Sequence, residues 1–248
     1  MIHEYGLLIG NSKIHIKSDN LGALLEAVKE IERHIKDLMK YVRSRPHFQY
    51  SLKPISPDPK SPPIVQRMIE ASKAADVGPM AAVAGAIADL GLETLIRMGS
   101  RVAVVEDGGE IAAYTEGEGI PISILTSEPN LSGKLGFLIT RDDSPLGIAT
   151  STGRSQRTIS FGEADSVTVV AESAALADAA ATSICNSVVG QNIREAISRG
   201  LRRAREISGV RGAIIIWEGH VGLVGKLPKM ISIRDSQRQN PLVQRSSI

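Results

Sequence analysis

Ser173-Ala-Ala-Leu-Ala-Asp178-Ala-Ala-Ala-Thr182-Ser-Ile-Cys-Asn186 is the stretch from which the rest of this chain can be read. Alanine is the strongest helix former, so a run this rich in it predicts a helix. The helix carries one carboxylate, Asp178, and one hydroxyl, Thr182, four residues apart and so on one face. The alanines around them let a second backbone, or a ligand, come close. Two oxygens placed this way suit a hard cation such as Mg²⁺, with waters and phosphate oxygens completing its shell. A plainer arrangement also suits them, with Thr182 bonded back to its own helix and Asp178 facing water or capping a loop. Two ligands are too few for a magnesium site, so the pair alone favours the plainer arrangement.

Composition narrows the class. The 248 residues can bury a sizeable core, and 42% of them are hydrophobic. Aromatics are only 3%, so that core is built from Ala, Val, Ile and Leu, and a base-stacking surface for nucleic acid is not expected. A net charge of +2 gives no field that favours DNA or acidic membranes. Cys185 is the only cysteine, which excludes a disulfide within the chain and a cysteine metal cluster. The opening residues Met1–Gly6 do not read as a secretory signal, and no apolar run reads as a membrane span. The expectation is a cytoplasmic globular protein without membrane or nucleic-acid partners.

Working outward from the alanine helix, short strands are predicted at 165–171, 146–151, 134–140 and 120–126. Asp107-Gly-Gly-Glu110 is a tight turn joining β-runs Arg101–Glu106 and Glu110–Thr115. Before it, 63–98 is helical and broken at Val77-Gly-Pro79, where proline can open the next helix. Residues 44–63 are proline-rich and read as an extended connector that cannot be helical. Leu21, Leu24, Val28, Ile31, Ile35, Leu38 and Val42 recur at spacings of three and four, a helix capped by Ser18 or Asp19. A hairpin over 5–17 precedes it. On the C-terminal side come a basic helix, 190–207, a hairpin at 211–225, and a basic tail, 226–248, expected to be mobile.

The result is an α+β chain with one main domain, 1–225, and mixed or antiparallel sheets. Its two halves echo loosely: a small-residue helix (80–90, then 174–187) precedes a β-hairpin with a glycine turn (101–115, then 211–225). The two alanine helices are expected to lie close together. Their small faces and the long apolar stripe also suit a homodimer.

Two further segments have the residue types of a phosphate site. Gly108 and Gly109 can present backbone N–H groups to a phosphate or let a flat ring lie on the main chain, although turn statistics favour an ordinary hairpin turn. Ala149-Thr150-Ser151-Thr152-Gly153-Arg154 is a hydroxyl-rich, anion-friendly loop, or merely a solvated one. Neither Walker-A spacing nor a Gly-x-Gly-x-x-Gly fingerprint is present. The five histidines, His3, His15, His34, His47 and His220, form no zinc-type pair. The arginines of 190–207 read as a solvated face.

Taken in order, Val77-Gly-Pro-Met-Ala-Ala-Val-Ala-Gly-Ala-Ile-Ala88, Glu106-Asp-Gly-Gly-Glu-Ile111, Gly147-Ile-Ala-Thr-Ser-Thr-Gly153 and Ala164–Ala171 running into Ala177-Asp-Ala-Ala-Ala-Thr182 resemble the UPF0280 family. That family is similar to the ApbE flavin transferases. The resemblance implies an ApbE-like fold and a flavin dinucleotide site (FAD or FMN), with Mg²⁺ held by Asp178 and Thr182 against the pyrophosphate. Gly108, Gly109 and Glu110 match the family's Gly-Gly-acidic turn, and Thr150, Ser151 and Gly153 its Thr-Ser-Gly. Transferases carry a His-x-x-Asp-Pro-x-Thr-Gly element before the Ser-Val-Thr-Val strand. Here that interval reads Arg154-Ser-Gln-Arg-Thr-Ile-Ser-Phe-Gly-Glu163, without it. The lysine expected near the Gly-Pro-Met-Ala-Ala helix is missing too. The implied function is binding of a flavin or another phosphate-bearing ligand. Mg²⁺-dependent FAD cleavage or flavin transfer, and an accessory role in assimilating sulfide into homocysteine, are the alternatives.

Overall fold

The hairpin β1 (His3–Ile9) and β2 (Ser12–Ser18) leads into helix α1 (Leu21–Ser44), then the short α2 (Pro46–Tyr50) and α3 (Pro63–Ala75). A 3-10 turn, Pro79–Ala82, runs into α4 (Val83–Arg97). Strands β3 (Val102–Asp107), β4 (Glu110–Thr115), β5 (Ile120–Ser123), β6 (Leu135–Ile139), β7 (Leu146–Ser151) and β8 (Ser166–Ala171) follow. Helices α5 (Ala174–Ser187) and α6 (Ile193–Glu206) and strands β9 (Val210–Trp217), β10 (His220–Gly225) and β11 (Lys229–Ser232) complete the chain. The computed structural model describes residues 1–124, 132–153 and 161–233.

All strand pairings are antiparallel. Eight strands form one sheet in the order β1-β2-β3-β4-β7-β8-β9-β10, and β11-β6-β5 form a second. The first four strands of the large sheet and its last four each follow chain order, and the two halves meet at the β4–β7 pair. Helices α1, α4, α5 and α6 lie over the sheet in that order, each on its own pair of strands. The main aliphatic core lies between helices and sheet. Alternate residues on the other face, including Leu146, Ile148, Val170 and Ile214, join Ile120, Ile122 and Phe137 of the small sheet in a second cluster. This is an α+β fold with the two alanine helices side by side.

Small residues permit that contact. A Cβ at Gly85 would run into the Ala174 carbonyl, and one at Gly147 into the Ser173–Ala174 backbone. The N-terminal turn of helix α5 is therefore pressed directly onto β7 below and α4 beside it.

Several expectations need correction. Helix α1 is capped by Asn20, whose Oδ1 accepts the Ala23 N–H at 3.1 Å. The Asp19 carboxylate is committed to the N–H groups of Arg101 and Val102, and Ser18 bonds Ser100. The proline-rich connector does contain a helix, α2, because Pro46 sits at its first turn, where its missing N–H costs nothing. The chain beyond residue 225 is not all tail: Lys229–Ser232 pairs with Leu135–Leu138 of β6. The remainder of the tail, 234–248, lies outside the described residues, as does the part of the 120–126 strand beyond 124. Arg203 leaves the solvated face of α6 to donate to the Ala75 carbonyl at 2.9 Å and to the Ser183 hydroxyl at 3.0 Å. One stretch, Pro79–Arg97, is long and apolar enough to cross a membrane; two thirds of it is buried in the core of this fold.

Candidate functional site

Strand register gathers the sequence-derived site residues. Ile14 pairs with Asp107, Ile111 with Ile148, and Ser151 with Val167, so the 107–110 turn and the 150–153 segment leave the sheet at the same end. Gly108 and Gly109 have φ of 67° and 119°, the positive values a two-residue hairpin turn demands. A Cβ on Gly109 would meet nothing within 4 Å, so the main chain there has an open face. Gly153 does the opposite: a Cβ would strike the Gly162 carbonyl, and one on Gly162 the Cys185 carbonyl. These two glycines stack the 150–153 segment against the C-terminal half of α5.

Strand alternation separates Thr150 from Ser151. The buried Ser151 follows Gly147 and Ala149 onto the α5 face, whereas Thr150 bonds Thr168 (2.9 Å) on the other face. The two hydroxyls do not point at one place. Arg154 lies outside the described residues.

Asp178 is not turned to water. Its Oδ2 accepts the Gly85 N–H at 3.1 Å, in the first turn of α4, which no side chain of its own caps. Asp89 of α4 does the same for α5, accepting the Ala174 N–H at 2.7 Å and the Ala175 N–H at 2.9 Å. The plainer sequence reading is thus met in part, since Asp178 is a cap, but of a neighbouring helix 93 residues away. Its other half is not met: among the described residues no hydrogen bond engages the Thr182 hydroxyl.

The electrostatics are unusual. Burial pushes the Asp178 carboxyl up to about 7, aided by the nearby Asp107 and Asp89 and opposed by the Gly85 and Ala84 N–H groups. Glu110 is held well above the ordinary carboxylate range, first by burial and next by Asp178. Asp107, at 2% exposure, is raised to about 6 by burial, against hydrogen bonds from Ser12 and Lys13. Among the described residues its Oδ2 has no hydrogen-bond partner. No lysine or arginine side chain of the described residues is among the main influences on these three acids. Asp178 and Glu110 keep partial exposure although protein crowds their carboxyls.

The donor set fits a hard divalent cation: carboxylate and hydroxyl oxygens, without sulfur or imidazole. Among the described residues no three of His, Cys, Asp and Glu are arranged to hold an ion unaided. Thr182, water and ligand oxygens would have to complete its shell.

Sequence reasoning passed over Asp89. The signal was present, because Ala86-Ile-Ala-Asp89 and Ala175-Leu-Ala-Asp178 are nearly the same tetrapeptide on the two facing helices.

The architecture is that of the flavin transferases of the ApbE type. The Vibrio cholerae flavin transferase ApbE superposes with a TM-score of 0.58 at 13% identity, over 90% of this chain and 96% of that one. The Thermotoga maritima ApbE protein gives 0.59 at 13% identity, over the same shares. At that identity the likeness is one of fold. The chain belongs to the family described as AbpE bacteria, whose model matches residues 4–222. Among its relatives are UPF0280 proteins of Methanobrevibacter smithii, 39% identical over 81% of this chain and 84% of that protein, and of Methanocaldococcus jannaschii, 34% identical over 91% of each.

Proposed function

We propose that this protein binds a flavin nucleotide, FAD or FMN, or a related phosphate-bearing ligand, through a divalent cation held at Asp178 and Thr182. The observation that carries the reading is that three acids, Asp178, Glu110 and Asp107, act on one another with their carboxyls raised by burial, and no lysine or arginine side chain of the described residues is among the main influences on them. Ionising neighbouring acids that burial has raised costs free energy, and a bound Mg²⁺ offsets that cost by favouring their carboxylate forms. Mg²⁺ would supply charge neutralisation for a pyrophosphate laid against the α4–α5 crossing. The Gly108–Gly109 main chain, open on one side, and Glu110 would border the ligand. Ser151 and Gly153 would lie beside α5, while Thr150, on the opposite face of β7, would act only through its strand. The flavin-transferase names of structural neighbours from Vibrio cholerae and Pseudomonas stutzeri point to the same ligand class.

The function proposed is binding. The interval 154–163 contains no His-x-x-Asp-Pro-x-Thr-Gly element, so a base for covalent flavin transfer is not assigned to any residue of this chain.

A thermal-unfolding screen with FAD, FMN, ATP and pyridoxal phosphate, each with and without Mg²⁺, tests this. At a ligand concentration of about 100 times Kd, linkage gives ~2.7 kcal/mol of stabilisation. The expected result is a Mg²⁺-dependent rise with FAD or FMN that Asp178→Ala abolishes. No shift with any ligand removes the proposal. AMP release from FAD in the same samples would add catalysis to it.

A further inference from the structure

The crossing of α4 and α5 presents one arrangement twice. Each helix carries the Ala-[Ile/Leu]-Ala-Asp sequence, and each aspartate accepts N–H groups from the first turn of the other helix. Four residues after each aspartate, on the same face, stands a second oxygen-bearing side chain: Glu93 after Asp89, Thr182 after Asp178.

The two positions differ in counter-charge. At the first position the chain provides it: Arg67, from α3, places one guanidinium nitrogen 3.6 Å from Asp89 Oδ2 and another 2.6 Å from Glu93 Oε1. At the second, no lysine or arginine of the described residues forms an ion pair with Asp178, whose hydrogen bond is to the Gly85 N–H. Planar, permanently charged arginine is well matched to bridging two carboxylates.

We propose that Arg67 is the built-in cation of a second position equivalent to Asp178–Thr182, so that one side of the α4–α5 crossing is neutralised by the chain and the other by a bound divalent ion. The second half of that statement rests on the proposed function; the assignment of Arg67 does not. Asp89 spends one lone pair of each oxygen on an N–H group, and each oxygen retains another. Removing the guanidinium therefore frees a two-carboxylate position that a divalent ion can take.

The test is thermal unfolding with and without millimolar Mn²⁺, in an Asp178→Ala background that eliminates the other position. Asp178→Ala alone is expected to be insensitive to Mn²⁺. Asp178→Ala/Arg67→Ala is expected to melt lower and to regain several degrees with Mn²⁺, a gain lost when Glu93→Gln is added. If the double variant is unfolded without metal, Mn²⁺ is expected to restore its cooperative transition. A double variant that Mn²⁺ neither stabilises nor refolds overturns the assignment, and so does a gain that survives Glu93→Gln. The wild-type response to Mn²⁺ reports separately on the proposed function. A silent wild type with a responsive double variant would sink that function and leave Arg67 as assigned.

Discussion

Asp89 and Asp178 cap each other's helices: Asp89 accepts the first N–H groups of α5, and Asp178 the Gly85 N–H of α4. The exchange ties two helices together at the point where the candidate site sits. It also makes the two carboxylates unequal, since Arg67 accompanies only Asp89.

That inequality predicts different costs of removal. Asp89→Ala leaves two buried N–H groups without an acceptor and Arg67 with Glu93 alone, and is expected to cost about 2–4 kcal/mol. Asp178→Ala loses the acceptor of the Gly85 N–H but also relieves a crowded, poorly ionised carboxyl, so in metal-free buffer it is expected to cost less. Urea unfolding midpoints of the two variants at neutral pH check the order.

The close approach of α5 to the sheet predicts a second effect. Gly147→Ala places a methyl against the Ser173–Ala174 backbone and is expected to destabilise by ~3 kcal/mol or more. Gly109→Ala meets no atom but keeps a positive φ, and is expected to cost about 1 kcal/mol. A larger loss at Gly109 than at Gly147 would contradict the packing described.

The raised acids give a pH dependence of definite sign. Asp178 and Asp107 ionise near 7 and 6 in the folded chain, but near 4 when unfolded. Between those values the unfolded chain has released protons that the folded one retains. Stability of the metal-free protein is therefore highest below about pH 4, so far as these groups go, and falls as pH rises towards 7. Asp107→Asn is expected to remove the part of that fall between about 4 and 6, gaining ~1–3 kcal/mol at pH 7. Unfolding free energies measured across pH 4–8 are the check, and an unchanged slope counts against the burial argument.

Thr182 offers a separation of binding from stability. Its hydroxyl engages nothing among the described residues, so Thr182→Val is expected to leave the melting temperature of the metal-free protein within a degree or two. Mn²⁺ affinity, by titration calorimetry, is expected to fall roughly tenfold, about 1.4 kcal/mol. Unaltered affinity would take Thr182 out of the site.

Much of this was legible along the chain. The heptad-like stripe of α1, the Asp107–Glu110 turn and the alanine helix all follow from local periodicity and from turn chemistry that neighbouring residues decide. Asp178 and Thr182 share a face for the same reason. What was misjudged had its cause at a distance. Asn20 caps α1 because Asp19 is drawn to the 101–102 backbone, and β11 forms because β6 presents an unpaired edge. Thr150 and Ser151, adjacent in a matched motif, are divided by the alternation of the strand they belong to.

The sequence by itself determined the elements, their order and the oxygen-bearing face of α5, because helix and strand periods act over a few residues. Only the tertiary structure decided what that face means. Hydrogen-bond partners and desolvation are set by atoms brought from 93 residues away, and it is those atoms that give Asp89 an arginine and leave Asp178, Glu110 and Asp107 with none among their main influences.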